Sequence, residues 1–518
     1  MIIHSASQSV VLKAVDPFAI RSLLPKHSKT IDVAGYNIAV KHTVDSTRLL
    51  RNLGYSVPSP ILTDYKWPGK HTPFDHQQVM ADMMTVHPKV FNLSEMGTGK
   101  TYASLWAADW LMHQGLVHKA LILAPLSTLD TVWKQDIFDI LMHRTVNVLH
   151  GSLERRMERL AMDVDFYILN HDGISITQLA KEIHRRKDID LVILDEASMF
   201  RNASTTKWRF LKWVIENKPR LWQVTGTPCP NEPTDAWALA KLANPNRGPQ
   251  YFGQFKRQTM MQVSTHKWVP KAGAIEAAYH LMQPAVRFKK ADCLTLPPVV
   301  TLNRQTRLTK AQRDAYEQMR EQMILDVQAG PISAVNAADQ INKLRQVLCG
   351  CVKHPDTGTY STIDHRYRVA DLIDAIDEAS AKVIIIVPFK GIINELAIEL
   401  EKRYTVGLLN GDVSAGARTK IIQAFKTQPD PHVLLCHPKV MAHGLNLTEA
   451  DTTIFYAPIY SGDEYQQVIE RFNRTGQTRH MSIVRLAAHP LEWDIYKAVD
   501  NRQITQSTIL DLYKSVTE

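Results

Sequence analysis

Eight consecutive residues, Ser94-Glu95-Met96-Gly97-Thr98-Gly99-Lys100-Thr101, have the composition of a polyphosphate cradle. Gly97 and Gly99 let the backbone turn its N–H groups toward phosphate oxygens, and Lys100 adds a positive charge for the β- and γ-phosphates. The Thr101 hydroxyl suits a Mg²⁺ ligand. Ser94 stands at the first position, which is often Gly in such loops. Further along, the apolar run Leu191–Leu194 ends in Asp195-Glu196-Ala197-Ser198. An acid at such a strand end can hold hydrated Mg²⁺, and its neighbour can polarise an attacking water; Asp195 and Glu196 occupy these two places. Thr225-Gly226-Thr227-Pro228 closes another apolar run, and a small-residue turn there can touch both the acids and the γ-phosphate region. Near the end of the chain, Gln467, Arg471 and Arg474 fall at i, i+4 and i+7, on one helical face. Arginines placed in this way can offset charge developing on a transferring phosphoryl group. Each motif has a plainer alternative: a Gly-rich turn, solvated acids at a strand end, a Gly-Pro turn, a solvated basic helix. Their occurrence together and in order favours the chemistry.

The elements that must carry these residues can be read from hydrophobic patterning. The loop lies between the apolar run Val90–Leu93 and a helix-like run from Tyr102 to His113, the strand–loop–helix context a phosphate loop requires. Short apolar runs continue at Ala120–Ala124, Val146–Leu149, Phe166–Leu169, Leu191–Leu194 and Leu221–Val224, alternating with helical segments. That alternation predicts a parallel sheet covered on both faces. Residues 246–365 break the rhythm, with helix-like runs at Lys310–Gln328 and Ala334–Val347. The rhythm returns at Val383–Val387, Val406–Leu409, Val433–Leu435, Thr453–Tyr456 and Ile483–Leu486. Before the first sheet, Val33–Val40 reads as a hairpin with a Gly turn and Ser46–Asn52 as a helix ending at Gly54; Pro58, Pro60, Pro68 and Pro73 mark a stiff connector. The expected fold class is α/β, with two doubly wound parallel-sheet lobes, helical insertions and a small N-terminal α+β appendage. The expected domains are 1–72, 73–245, 246–365 and 366–518.

Composition narrows the partners. A chain of 518 residues exceeds one ordinary core. The net charge of +9 permits a nucleic-acid partner without requiring one. No apolar run is long enough to span a bilayer, and the N-terminus lacks the basic-then-apolar pattern of a signal peptide. The five cysteines show no zinc spacing, and so sparse a set fits a reducing intracellular compartment, the cytoplasm of a bacterial or phage-infected cell. Lys26, Lys29, Lys41, His42, Arg48 and Arg51 make the N-terminal segment basic, so it is expected to be either a DNA-guiding element or a packing domain.

From about residue 73 to 490, the ordered motifs resemble those of a superfamily 2 helicase-type ATPase of the Swi/Snf branch. The resemblance implies two RecA-like lobes, ATP and Mg²⁺, and a DNA partner, duplex or branched. Phe74-Asp75-His76-Gln77 resembles the adenine-recognising glutamine motif, which makes Gln77 an adenine contact. Residues 94–101 resemble Walker A, which implies nucleotide contacts from Met96, Gly97, Thr98, Gly99, Lys100 and Thr101, with Thr101 and Asp195 on the metal. Leu121–Ser127 and the later Trp133 resemble a DNA-backbone motif, implying contacts from Pro125 and Ser127. Thr225, Gly226 and Thr227, followed by Asn231 and Trp237, resemble the coupling motif. Leu294–Pro298 resembles the crossing between lobes, Leu344-Arg345-Gln346 a motif of the helical insertion, and Leu409–Asp412 with Arg418 a second-lobe motif. Gly444-Leu445-Asn446-Leu447 with Ala450-Asp451 resembles motif V, which places Gly444 and Asn446 on nucleic acid. Gln467, Arg471, Arg474, Gly476 and Gln477 resemble motif VI, with Gln467 coupling and the two arginines catalytic beside Lys100, Asp195 and Glu196. His443 and Ala457-Pro458 depart from the family pattern, and residues 1–70 fall outside it, resembling only generally the appendages of compact phage or bacterial members.

Three activities remain open at this level: a translocase on duplex DNA, a strand-separating DNA or RNA helicase, and an ATP-gated clamp. The helical segments favour the first. The clamp predicts a missing catalytic acid or arginine, whereas Glu196, Arg471 and Arg474 are all present. A metabolic kinase would need no second lobe.

Overall fold

The computed structural model describes residues 1–229, 232–263, 268–294, 297–329, 334–354, 357–441, 447–474 and 476–500. It divides into two compact units, Met1–Leu294 and Thr295–Glu518.

The first unit is built on a seven-stranded sheet, in the order Ala285–Val286, Lys89–Asn92, Arg220–Val224, Ile189–Asp195, Lys119–Ala124, Phe166–Asn170 and Val146–Val148. Every pairing is parallel. The central strands are apolar on both faces because helices cover both sides; Leu121, Ile122, Leu123, Val192 and Ile193 are fully buried. Val224 is level with Asn92 on one side and Asp195 on the other, so three neighbouring strands end together. Ligands in such sheets bind beyond the carboxyl ends of the strands.

Packed into the same unit is a four-stranded antiparallel sheet, Ile2–His4, Ser9–Leu12, Tyr36–Lys41 and Ser28–Val33 in spatial order. Its expected hairpin turns at Ala34 and Gly35, both at positive φ. The helix after it, Val44–Asn52, is fastened to the helix Asp75–Val86. Arg51 donates to both carboxylate oxygens of Asp82 at 2.7 Å, and the Ser59 backbone N–H donates to the same carboxylate at 2.6 Å. Part of the N-terminal basic charge is paired locally: Arg48 lies on Asp45 at 2.5 Å, while Lys26, Lys29 and Lys41 are exposed; the His42 ring meets Pro58 O at 2.8 Å.

The chain from 246 to 365 contributes to both units. Phe252–Thr259, the two-stranded ribbon Met260–Gln262 with Trp268–Pro270, Ala274–Leu281 and the edge strand Ala285–Val286 belong to the first. Val299–Gln305 opens the second unit as an edge strand, followed by long helices at Lys310–Ala329 and Ala334–Cys349.

The second sheet is also all parallel, in the order Val299–Gln305, Met481–Ala487, Ala450–Phe455, Lys382–Ile386, Val433–Cys436 and Val406–Leu409. Its helices are held by buried charge as well as apolar packing. Arg368 pairs with Glu492 at 2.6 Å, both nearly inaccessible, and donates to Tyr456 O at 2.7 Å. The Arg345 guanidinium donates to Pro458 O and lies over the rings of Tyr460 and Phe389. Among the described residues no helix is long and apolar enough to cross a membrane.

Candidate active site

The loop from Ser94 to Thr101 leaves its strand and opens the helix Lys100–His113. Asn92, buried at the strand end, accepts the Ser94 N–H at 3.3 Å. Glu95 O then gathers two donors, the Thr98 hydroxyl at 2.8 Å and the Lys100 ammonium at 3.0 Å, which curls the loop on itself. Gly97 and Gly99 both sit at φ +80°, where a side chain is strained. At Gly99 a β-carbon would also lie 1.9 Å from Gln77 Nε2, so the end of that side chain would have to shift. Gln77 accepts the Phe74 N–H at 3.0 Å, and the neighbouring His76 ring donates to Thr98 O at 2.9 Å, so the helix Asp75–Val86 supports the loop from behind. Met96 and Thr98 complete the loop, and Thr101 lies in the first turn of the helix, whose N-terminal end favours anions.

The acids arrive two strands away. Asp195 accepts a hydrogen bond from the Trp133 indole at 2.9 Å and another from the Glu196 N–H at 3.0 Å, while the His171 ring donates to its carbonyl at 2.8 Å. Glu196 takes φ +47°, an uncommon backbone state for a non-glycine residue, and so turns sharply out of the strand. Trp133 lies in a π-helical turn, Leu129–Lys134, and is fully buried. It braces Asp195 from within the unit.

The intervening strand brings the turn Thr225–Thr227. Thr225 N–H donates to Asn92 O at 3.0 Å, and the Thr225 hydroxyl accepts the Thr227 N–H at 3.3 Å. A β-carbon on Gly226 would lie 3.2 Å from Met96 N and 3.5 Å from Ser94 O. The turn thus packs directly on the loop. Pro125 is buried and Ser127 half-buried at the end of Lys119–Ala124; the Ser127 hydroxyl is buried without a hydrogen-bond partner among the described residues.

A further segment, absent from the sequence expectations, lines this site. Residues 284–290 run beside the loop strand in a regular ladder: Phe91 N–H to Pro284 O at 3.0 Å, Leu93 N–H to Val286 O at 2.8 Å, Glu95 N–H to Phe288 O at 2.9 Å. Phe288 N–H donates to the Ser94 hydroxyl at 3.1 Å, and Lys290 N–H to the Glu95 carboxylate at 2.9 Å. No local signal marks these residues, because their partners lie almost two hundred positions away. His171 carries no local signal either, and although His76 stands within the Phe74–Gln77 motif, only the fold gives the two rings their carbonyl partners.

In the second unit, Gln467 and Arg471 lie on the helix Gly462–Phe472, with Arg471 only 7% exposed. Arg474 does not continue that face. The helix ends at Phe472, Asn473 leaves helical geometry, and Arg474 N–H turns back to Phe472 O at 3.1 Å. The stop is enforced by Gln477, whose amide donates to Ala450 O at 2.9 Å and Thr448 O at 3.2 Å, and by Gly476 at φ +100°. Leu447 N–H donates to Arg471 O at 2.9 Å, joining the helix to the start of the Ala450 strand. Gly444 and Asn446 lie outside the described residues, as does Asn231.

The SNF2-related domain family matches residues 91–357, and the helicase conserved C-terminal domain matches residues 367–476. An uncharacterized ATP-dependent helicase of Mycoplasma genitalium is 24% identical over 76% of this chain and 37% of its own length. A putative protein p41 of Acyrthosiphon pisum secondary endosymbiont phage 1 is 23% identical over 74% of this chain and 85% of its own. Among solved structures, the Sulfolobus solfataricus SWI2/SNF2 ATPase core in complex with dsDNA is 21% identical, covering 87% of this chain and 95% of that one with a TM-score of 0.41. The chain spans little more than a third of the Mycoplasma helicase it matches and most of the phage protein. With more than half its length matched in one stretch that holds the loop, the acids and the turn packed on them, the chain belongs to the SNF2-related family.

Proposed function

We propose that this chain is a nucleic-acid-stimulated ATPase that moves along duplex or branched DNA. The carrying observation is the convergence of the glycine loop, the Asp195-Glu196 pair and the Thr225–Thr227 turn at the carboxyl ends of three adjacent parallel strands. The donor set fits a nucleoside triphosphate: two left-handed glycines, a lysine and a helix N-terminus. It also fits Mg²⁺ arriving with its phosphates. Among the described residues no group of three or more His, Cys, Asp or Glu could hold a metal alone, and Mg²⁺ ordinarily takes one or two protein ligands plus phosphates. Thr101 and Asp195 would be those ligands, and the bound ion neutralises phosphate charge.

The residues divide the work. Lys100 binds the β- and γ-phosphates, and Gln77 binds adenine. A Glu196 carboxylate oxygen accepts a proton from the attacking water, and the turn at Glu196 directs that carboxylate away from its own strand. Arg471 and Arg474 stabilise charge in the transition state. The turn of Thr225, Gly226 and Thr227 packs on the loop at Gly226, and with Gln467 it relays the loop's state. Pro125 and Ser127, with Gly444 and Asn446, contact the DNA backbone, which carries no base sequence information.

The deciding experiment is ATPase activity in the presence of single-stranded, duplex and branched DNA and of RNA, together with displacement of a third strand from a triplex. Duplex or branched DNA should stimulate turnover most, and triplex displacement should depend on ATP. Stimulation by RNA alone would replace this reading with a strand-separating RNA helicase.

A further inference from the structure

The segment 284–290 does more than complete a sheet edge. Its ladder runs past the last paired strand residues and onto the phosphate loop itself, with contacts at Ser94 and Glu95. One consequence is that the Lys290 side chain lies across the glycine turn. A β-carbon on Gly97 would be 3.5 Å from Lys290 Cε and 3.6 Å from its Nζ. The ammonium is thus brought beside the Gly97 turn of the loop. The lysine is half-buried, and its backbone is clamped by Glu95. Few side chains are as fixed in origin: the donor to Glu95 is Lys290's own N–H, so the stem starts at a defined point beside the turn.

We propose that Lys290 is a second phosphate-binding cation of the nucleotide site, presented by chain that leaves the first unit four residues later, at Leu294. This rests on the reading of residues 94–101 as a triphosphate loop. Lys100 is held low, with its ammonium on Glu95 O at 3.0 Å inside the curl of the loop. Lys290 approaches from the opposite strand edge. Two cations of different origin then contact the same polyphosphate, one on the loop and one on the connecting segment, and nucleotide occupancy becomes a restraint on that segment. The ligand chemistry is a di- or triphosphate, since a nucleoside alone offers nothing for an ammonium at this position.

The test is equilibrium binding of ADP and of adenosine to the full chain by titration calorimetry, for the wild type, Lys290→Met, Lys290→Arg and Lys100→Met. Methionine keeps the stem that covers Gly97 and removes only the charge. Lys290→Met should weaken ADP about tenfold, the loss of one charge-assisted contact, and leave adenosine unchanged. Lys290→Arg should recover most of the ADP affinity. ADP binding within twofold of wild type in Lys290→Met overturns the proposal, and so does equal loss of ADP and adenosine, which would mean a damaged loop. Lys100→Met separates the two levels. If it loses ADP while Lys290→Met does not, only the role of Lys290 falls; if neither loses ADP, the triphosphate reading of the loop falls with it.

Discussion

Glu196 and Gly99 are where single residues decide most. Glu196→Gln keeps size and hydrogen bonding but removes the base, so kcat should drop roughly 10²–10⁴-fold while ATP still binds. Steady-state turnover alongside equilibrium nucleotide binding measures both, and wild-type turnover would remove Glu196 from catalysis. Gly99→Ala acts differently. It forces a side chain into the left-handed region, at about 1–2 kcal/mol, and drives a methyl into the Gln77 amide. The expected outcome is a lower unfolding midpoint together with lost nucleotide affinity; an unchanged midpoint would show that Gln77 moves aside freely. Both residues were legible in the sequence, because the phosphate loop and the strand-terminal acids are local patterns. The support beneath them was not. Trp133 on Asp195 and His76 on Thr98 are contacts of tertiary origin, between motifs whose pairing in space no local pattern gives.

Legibility at the level of elements follows burial. Most central strands of both sheets are apolar runs and stood out within a residue or two; Ala450–Phe455, which opens Ala-Asp-Thr-Thr, begins three residues before the expected Thr453. Two edge strands did not, although the edges Val146–Val148 and Val406–Leu409 did: Val299–Gln305 is largely exposed along its length, and Ala285–Val286 is two residues long. The helix spacing at 467, 471 and 474 misled for a definite reason, since the stop after Phe472 is imposed by Gln477, whose amide donates to Phe472 O and to Ala450 O at the start of a strand. Elements also carry the attachment of the N-terminal segment. Arg51 and Ser59 share the Asp82 carboxylate, so Asp82→Ala leaves a half-buried guanidinium without its partner, at a cost of roughly 2 kcal/mol. Limited proteolysis should then cut faster within residues 54–73 while basal ATPase persists. Unaltered cleavage would mean that apolar packing alone holds the segment.

For the molecule as a whole, buried acids with high proton affinity set the alkaline limit. Burial pushes the Cys229 and Cys351 thiols and the Tyr460 phenol up to about 12, and raises Cys349, Cys436, Tyr456 and Tyr496 as well. Unfolded, these groups ionise from about 9 for thiols and 10 for phenols. Above pH 9 the unfolded chain therefore holds fewer protons than the native one, and stability falls as pH rises. Lys218 opposes this: burial lowers it to about 8, so its contribution improves between pH 8 and 10.5. Burial lowers Lys89, Lys241 and Lys382 as well, but these lysines are outnumbered by the buried thiols and phenols together. Unfolding midpoints should decline from pH 8.5 to 10.5, and a flat or rising profile would show that these groups stay accessible.

The indole bonded to Asp195 makes the site self-reporting. Trp133 is sealed from water, and its N–H ends on the carboxylate proposed to meet Mg²⁺. Drawing charge from that carboxylate changes the field along the indole, and with it the colour and yield of the light it emits. Addition of Mg²⁺ and ADP should shift the intrinsic emission of the protein, and Trp133→Phe should abolish the shift while sparing the other nine tryptophans. A shift that survives the substitution would place the reporter elsewhere. If it is lost as expected, nucleotide arrival and departure can be timed in stopped flow without any dye.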